Sequence, residues 1–191
     1  MALSLRTSRL LLRPWRDEDI ARFAEMTADP TVMEYLLPLS DRGLSVDAWV
    51  ARKRAHWDEH GFGQWVVEIP SEANFIGVVG LETVSYEAHF TPAVEIAWRL
   101  ARAHWGHGYA TEAAQAAVDY GFDELGLREI VAVTVPANRR SLWVMERLGM
   151  TRTAEDDFDH PRVPEGPLKR CVLYRLRKPE GRAAHLSGRR G

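Results

Sequence analysis

The segment His104-Trp105-Gly106-His107-Gly108-Tyr109-Ala110-Thr111-Glu112-Ala113 sets two glycines one residue apart, between an apolar run and a long helical pattern. No other stretch constrains the chain as much. Val94 to Leu100 predicts a strand, and Ala110, Ala113, Ala114, Ala117, Val118, Phe122 and Leu125 recur at helical spacing until Gly126 ends the pattern. Gly106 and Gly108 let the backbone turn with no side chain in the way, and the N–H groups of a first helical turn have no partner inside the helix. They point outward at the positive end of the helix dipole, so the junction predicts an anion cradle that fits a phosphate-bearing ligand.

Spacing narrows the ligand. A Walker loop needs four residues between its glycines and then Gly-Lys-Ser/Thr, which this chain lacks. The dinucleotide fingerprint would put Gly or Ala where Thr111 stands and follows the first strand of its unit, whereas this loop lies past mid-chain. Trp105-Gly106-His107-Gly108-Tyr109-Ala110 resembles the Q/R-x-x-G-x-G/A loop of the GCN5-related N-acetyltransferases, the GNAT family, with Trp105 in place of Gln or Arg. The form W-G-x-G-Y-A-T-E-A is similar to that of the RimJ/RimL-like branch, the ribosomal-protein N-acetyltransferases. Asn138-Arg139-Arg140-Ser141-Leu142-Trp143-Val144-Met145-Glu146-Arg147-Leu148-Gly149-Met150 resembles the N-x-x-S-x-x-x-x-x-x-L-G-F/M helix that follows the fifth strand in that family. Here it follows Ile130 to Val135, a β-branched run ended by Pro136.

The resemblance implies a single α/β domain over residues 1–177, with a central mixed, mostly antiparallel sheet whose strands splay, flanked by about four helices. It also implies acetyl-CoA as acetyl donor, with its pyrophosphate on the amides of Gly106, His107, Gly108, Tyr109, Ala110 and Thr111. The strand residues Ala97, Trp98, Arg99 and Leu100 would pair with pantetheine through their backbone, and an N–H of Ala97 or Trp98 would bind the thioester carbonyl.

Length fits one well-buried domain, since 191 residues with 46 % apolar content and seven tryptophans supply a substantial core. A net charge of −2 gives no global reason to bind nucleic acid or an anionic membrane. Arg6, Arg9 and Arg13 interrupt the early Leu10-Leu11-Leu12 run, leaving neither a signal-peptide core nor a transmembrane span, which points to the cytoplasm. One cysteine, Cys171, excludes an intrachain disulfide and reads as a small buried strand residue. A monomer or homodimer is expected.

The element order reads strand (Arg9 to Trp15), helix (Asp17 to Ala28, with Asp17 as N-cap and Pro30 ending the region), helix (Val46 to His60), and strands Gly63 to Ile69 and Phe75 to Val84. Next come Val94 to Leu100, the loop helix, Ile130 to Val135, the Asn138 helix, and closing strands near Met150 to Asp156 and Leu168 to Leu176. From Lys178 to Gly191 Pro, Gly, Arg and Ser dominate, and a disordered tail with no catalytic duty is expected.

Acetyl transfer to an amine needs a neutral amine, a polarised carbonyl and a proton for the leaving thiolate. Glu95, just upstream of the residues that flank the acetyl group, is the first choice of base; it reads equally as a charge alternating outward on a strand. The family often places a tyrosine acid seven residues beyond the Asn, where this chain has Met145. Ser141 is therefore the expected proton donor, its competing reading an ordinary first-turn serine. Asn138 is a good N-cap and by resemblance also touches pantetheine. Arg139 and Arg140 either reach the 3′-phosphate or are solvated charges, and His107 would sit at the mouth of the phosphate site. His104 with His107, and His56 with His60, lack a third ligand, so no metal is expected.

Glu34, Trp65 and Glu82 are the candidates on the acceptor side, the two acids for a cationic amine and Trp65 as a wall of the cleft. An α-amine near pKa ~8 is roughly one-tenth neutral at pH 7, against a few molecules per ten thousand for lysine near ~10.4. The expected acceptor is thus a protein or peptide N-terminus. A small-molecule amine (amino acid, polyamine or antibiotic), a catalytically silent CoA-binding module and a nicotinamide-dependent enzyme are the rival readings.

Overall fold

The computed structural model describes residues 3–180. Among them the chain runs β1 (Leu5–Arg6), β2 (Leu11–Arg13), α1 (Asp19–Ala28), α2 (Pro30–Met33), α3 (Val46–His60), β3 (Gln64–Ile69), β4 (Ala73–Thr83) and β5 (Val94–Leu100). It continues through α4 (Tyr109–Asp123), β6 (Glu129–Thr134), α5 (Arg139–Arg147), β7 (Phe158–Asp159) and β8 (Arg170–Arg177). The strands form one eight-stranded sheet in the order β1-β2-β3-β4-β5-β6-β8-β7. It is antiparallel except where β5 runs parallel to β6. This is the expected α/β domain with a mixed, mostly antiparallel sheet. The expected tail lies, from residue 181 on, outside the described residues.

Side-chain alternation divides the sheet into two buried faces. Trp65, Val67, Val79, Leu81, Ile96 and Leu100 pack against Ala113, Ala114, Ala117, Val118 and Phe122 of α4. The alanines are fully buried, and their small side chains bring α4 close to the strands. Val66 and Val78 face the other way, onto Phe23 and Met26 of α1 and Trp49 and Val50 of α3. Phe23 and Trp49 stack there with ring centroids 4.3 Å apart.

Local chemistry moved several expected boundaries. Asp17 does not cap α1: Asp19 accepts the Arg16 N–H at 2.7 Å and pairs with the buried Arg13 through two bonds of 2.8 Å, because that guanidinium requires a carboxylate. Pro30 starts a helix, since Asp29 caps α2 through the Thr31 N–H at 2.8 Å and proline fits the first helical turn. Residues 150–156 form no strand beyond a bridge between Thr151 and Arg175. Their polar run gives no apolar alternation, and Asp156 turns to bind the Arg175 guanidinium at 2.8 and 3.0 Å.

Candidate active site

The β5/β6 junction creates the site. In register, Glu95 stands opposite Val131, and no further β5–β6 pair follows among the described residues. The two strands separate toward their C-terminal ends, and between them opens a cleft of ≈ 480 Å³. It is lined by β5, by Val133 and Thr134 of β6, by the loop after β5 and by the first turns of α5.

Hydrogen-bond phase decides which β5 groups face the cleft. Ala101 N–H bonds the Ile76 carbonyl and Val84 N–H bonds the Ala93 carbonyl, both at 2.9 Å. With the unbroken register from Gly77↔Leu100 to Thr83↔Val94, Glu95, Ala97 and Arg99 direct their backbone groups to β4. Ile96, Trp98 and Leu100 direct theirs to the β6 side. Of the two residues expected to face the thioester carbonyl, Ala97 has its N–H in the ladder with Gly80, whereas Trp98 directs its N–H and C=O to the cleft. The Leu100 carbonyl is already taken by the Trp105 indole N–H at 2.8 Å, which folds the loop back onto the strand end.

The two-glycine loop has the geometry the spacing predicts. Gly106 and Gly108 sit at φ +81° and +80°, in the left-handed region that disfavours side chains. The first bond of α4 runs from the Glu112 N–H to the Gly108 carbonyl at 3.0 Å, so the N–H groups of Tyr109, Ala110 and Thr111 have no partner in their own helix. Gly106, Gly108, Tyr109, Ala110 and Thr111 line the cleft. A clamp that sequence reasoning missed holds the turn in place. Glu112 accepts from Thr7 Oγ1 at 2.6 Å and Arg9 Nε at 2.7 Å, while Arg9 Nη1 donates to the His107 carbonyl at 3.0 Å. Burial raises the Glu112 pKa, but these hydrogen bonds outweigh it and hold the carboxyl below its ordinary value. His107 does not line the cleft; its ring stacks on Tyr109.

On the opposite wall, Asn138 caps α5 by accepting the Ser141 N–H at 3.3 Å. Its amide nitrogen donates to Thr134 Oγ1 and to Ser141 Oγ, each at 3.0 Å. Since the Asn138 N–H occupies a lone pair of Ser141, the serine keeps its own O–H to donate elsewhere. Met145, at the family's tyrosine position, is buried and lines the cleft. Arg140 lines it too, stacked 4.6 Å over the Trp105 ring and bonded to Glu34 at 2.7 Å.

Three acceptor-side expectations need correction. Trp65 is fully buried on the α4 face, edge-on to Tyr120, with its indole N–H on the Leu3 carbonyl at 2.7 Å. The alternation of β3 puts it behind the sheet. Glu34 lies outside the cleft, and the Arg140 hydrogen bond, helped by Tyr35, lowers its pKa. Glu82 is gripped by the Lys53 ammonium at 2.6 and 2.7 Å and does not line the cleft either. Among the described residues Glu95 is the sole carboxylate that does, whereas Arg99, Arg140 and Arg147 all do. Its charge is felt nearby: burial first, then Glu95, raises the pKa of Tyr86 and pushes the Cys171 thiol up to about 11. His56 and His60 serve structure, both ring systems meeting Thr83, and no group of three metal-ligating side chains occurs among the described residues.

An anion on free amides, an extended arm along an unpaired strand edge and a hydroxyl opposite that edge together fit an acyl-CoA. Sequence and structure comparisons agree with that fit. Residues 9–151 match the family model described as Acetyltransferase (GNAT) domain. YkkB of Bacillus subtilis is 35 % identical over 145 residues, covering 75 % of this chain and 83 % of that protein. The FsC-acetyl coenzyme A-N(2)-transacetylase of Aspergillus fumigatus is 30 % identical over 192 residues, covering 92 % and 80 %. The crystal structure of a GNAT-family acetyltransferase from Bacillus anthracis superposes with a TM-score of 0.71 at 27 % identity, covering 92 % of this chain and 98 % of that one.

Proposed function

Because the chain belongs to the GNAT family and is an acetyl-CoA-dependent N-acetyltransferase, we propose that its acceptor is a single primary α-amine, that of a peptide or protein N-terminus. The observation that carries this reading is the cleft's charge pattern, in which Glu95 is the one lining carboxylate among the described residues and Arg99, Arg140 and Arg147 are the lining arginines. The arginines suit the donor's phosphates and repel a polycation, while one carboxylate matches one ammonium. An α-amine also asks less of that base than a lysine side chain does. The W-G-x-G-Y-A-T-E-A form supports the RimJ/RimL-like branch. The similarity to a transacetylase named for FsC keeps a small-molecule amine as the alternative.

When bound, acetyl-CoA supplies the activated acetyl group and a thiolate leaving group. Tyr109, Ala110 and Thr111 hold the pyrophosphate on their N–H groups, and Trp98 holds the donor arm and thioester carbonyl by its backbone. Glu95 takes the amine's proton, directly or through water, and Ser141 donates its O–H to the departing sulfur. The catalytic domain ends with β8 near residue 177, and every step of the transfer is assigned to residues within it.

Thiol release measured with acetyl-CoA and a panel of peptides, free amino acids and polyamines tests the acceptor. Peptides with free N-termini should be turned over with the highest kcat/KM. Preference for lysine side chains or polyamines would overturn the assignment, and turnover of any of these amines excludes a silent CoA-binding module.

A further inference from the structure

Gln64 opens β3 and lines the cleft, and the residue is 6 % exposed. Two indoles fix its backbone: Trp15 and Trp57 each donate their N–H to the Gln64 carbonyl at 3.1 Å. Gly80 lets this backbone press against β4, since a Cβ at position 80 would collide with the Gly63 carbonyl. The amide orientation is fixed as well. Its nitrogen donates to Glu82 Oε2 at 3.3 Å, and a carboxylate only accepts, so the amide nitrogen faces Glu82 and the oxygen faces away. That oxygen is buried and has no hydrogen-bond partner among the described residues. A buried carbonyl oxygen left unbonded costs free energy, and in a ligand site a donor on the ligand relieves it.

Gln64 lies on the same sheet face as Glu95. In the β3–β4–β5 register Gln64 pairs with Gly80 and Gly80 with Ala97, and Glu82 pairs with Glu95 on the next row. We propose that Gln64 Oε1 is the acceptor for one N–H of the incoming amine and makes the site selective for primary amines. This rests on the acetyltransferase reading above and names the group that orients its acceptor. A primary amine carries two hydrogens. As the C–N bond forms and the C–S bond breaks, one hydrogen leaves to Glu95 and the thiolate is protonated from the Ser141 side. The second hydrogen stays on nitrogen in the product amide, and it is the one Gln64 holds throughout. A secondary amine has only the hydrogen that must leave, so it offers Gln64 nothing to hold as the bond forms.

The test uses an alanine-initiated tripeptide amide and its N-methylalanine counterpart, with matched primary and N-methyl pairs of a polyamine and an amino acid ester. The wild type should favour the primary member of each productive pair by at least roughly tenfold in kcat/KM, as expected for one buried hydrogen bond. Gln64→Met keeps the length and removes the acceptor. It should lower kcat/KM for the primary amine roughly tenfold to a hundredfold, leave the KM for acetyl-CoA unchanged, and collapse the primary-to-secondary ratio toward one. Gln64→Asn should fall between. Equal losses for both members of a pair would reduce Gln64 to a packing role and overturn the inference alone. If the methionine variant does not fold, equal wild-type rates on primary and N-methyl amines do the same. No turnover by the wild type with any pair would overturn the acceptor proposed above and the inference with it.

Discussion

Ser141 and Glu95 stand on opposite walls of one cleft, and the neighbours of Ser141 define what it can do. Asn138 fills one lone pair of Ser141 from 3.0 Å and leaves its O–H to donate, and the buried Met145 beside it offers no proton of its own. Ser141→Ala should therefore lower kcat roughly tenfold to a thousandfold, the range for one acid–base contribution, with a smaller change in the KM for acetyl-CoA. Wild-type kcat in single-turnover measurements would transfer the proton donation to water. Glu95→Gln keeps the shape and removes the basicity. Its kcat/KM should fall at neutral pH and partly recover as rising pH supplies neutral amine without help, because the α-amine deprotonates through about pH 8. A pH profile superimposable on the wild type would make the carboxylate structural.

Among the elements, α3 and β5 occur at the residues their sequence predicts, because each has a local determinant: Ser45 caps the helix through the Ala48 N–H at 3.1 Å, and Val94–Leu100 is bounded by coil. The loop before α4 was legible for the same reason, since φ values near +80° leave glycine as the natural choice. The features that escaped the sequence are contacts made at long range. Trp65 lies among consecutive apolar residues, so only the β3–β4 register tells which face it takes. Glu82 and Glu34 read as open acids until Lys53 and Arg140 are seen beside them. The Arg9–Glu112 clamp spans 103 positions and carries no motif. A paired substitution isolates the loop's role from backbone strain. Gly108→Ala and Gly126→Ala both force a side chain onto a left-handed residue, at φ +80° and +68°, and should each cost about 1–2 kcal/mol of stability. Only the first should raise the KM for acetyl-CoA, by tenfold or more, because Gly108 borders the amides proposed to hold the pyrophosphate while Gly126 lies past the far end of α4. Equal acetyl-CoA affinities in the two variants would remove that loop from the binding site.

At the scale of the molecule, the sheet is two antiparallel blocks, β1 to β5 and β6 with β8 and β7, joined in register where Glu95 meets Val131 and covered by α4 and α5. The cleft is lined by both blocks, with Trp98 and the first turn of α4 on one side and Asn138 and Ser141 on the other, so acetyl-CoA placed as proposed would touch both at once. It contacts a surface that exists only when the blocks are assembled, so it binds the folded chain and not the unfolded one. Acetyl-CoA at a hundredfold excess over its Kd should then stabilise the fold by about 2.7 kcal/mol. For a domain of this size each kcal/mol moves Tm by about 2–4 °C, which predicts a rise of roughly 5–10 °C in a thermal melt. NAD carries a pyrophosphate but lacks the amide-bearing arm that would lie along Trp98, so it should shift Tm by far less. Desulfo-CoA keeps the phosphates and most of the arm and should retain most of the rise, whereas Gly108→Ala, binding tenfold or more weakly, should lose about half of it or more at the same concentration and Ser141→Ala should keep it. An acetyl-CoA melt indistinguishable from the melt without ligand, or an equal rise with NAD, would separate the cleft from the cofactor and leave the β5/β6 opening without its ligand.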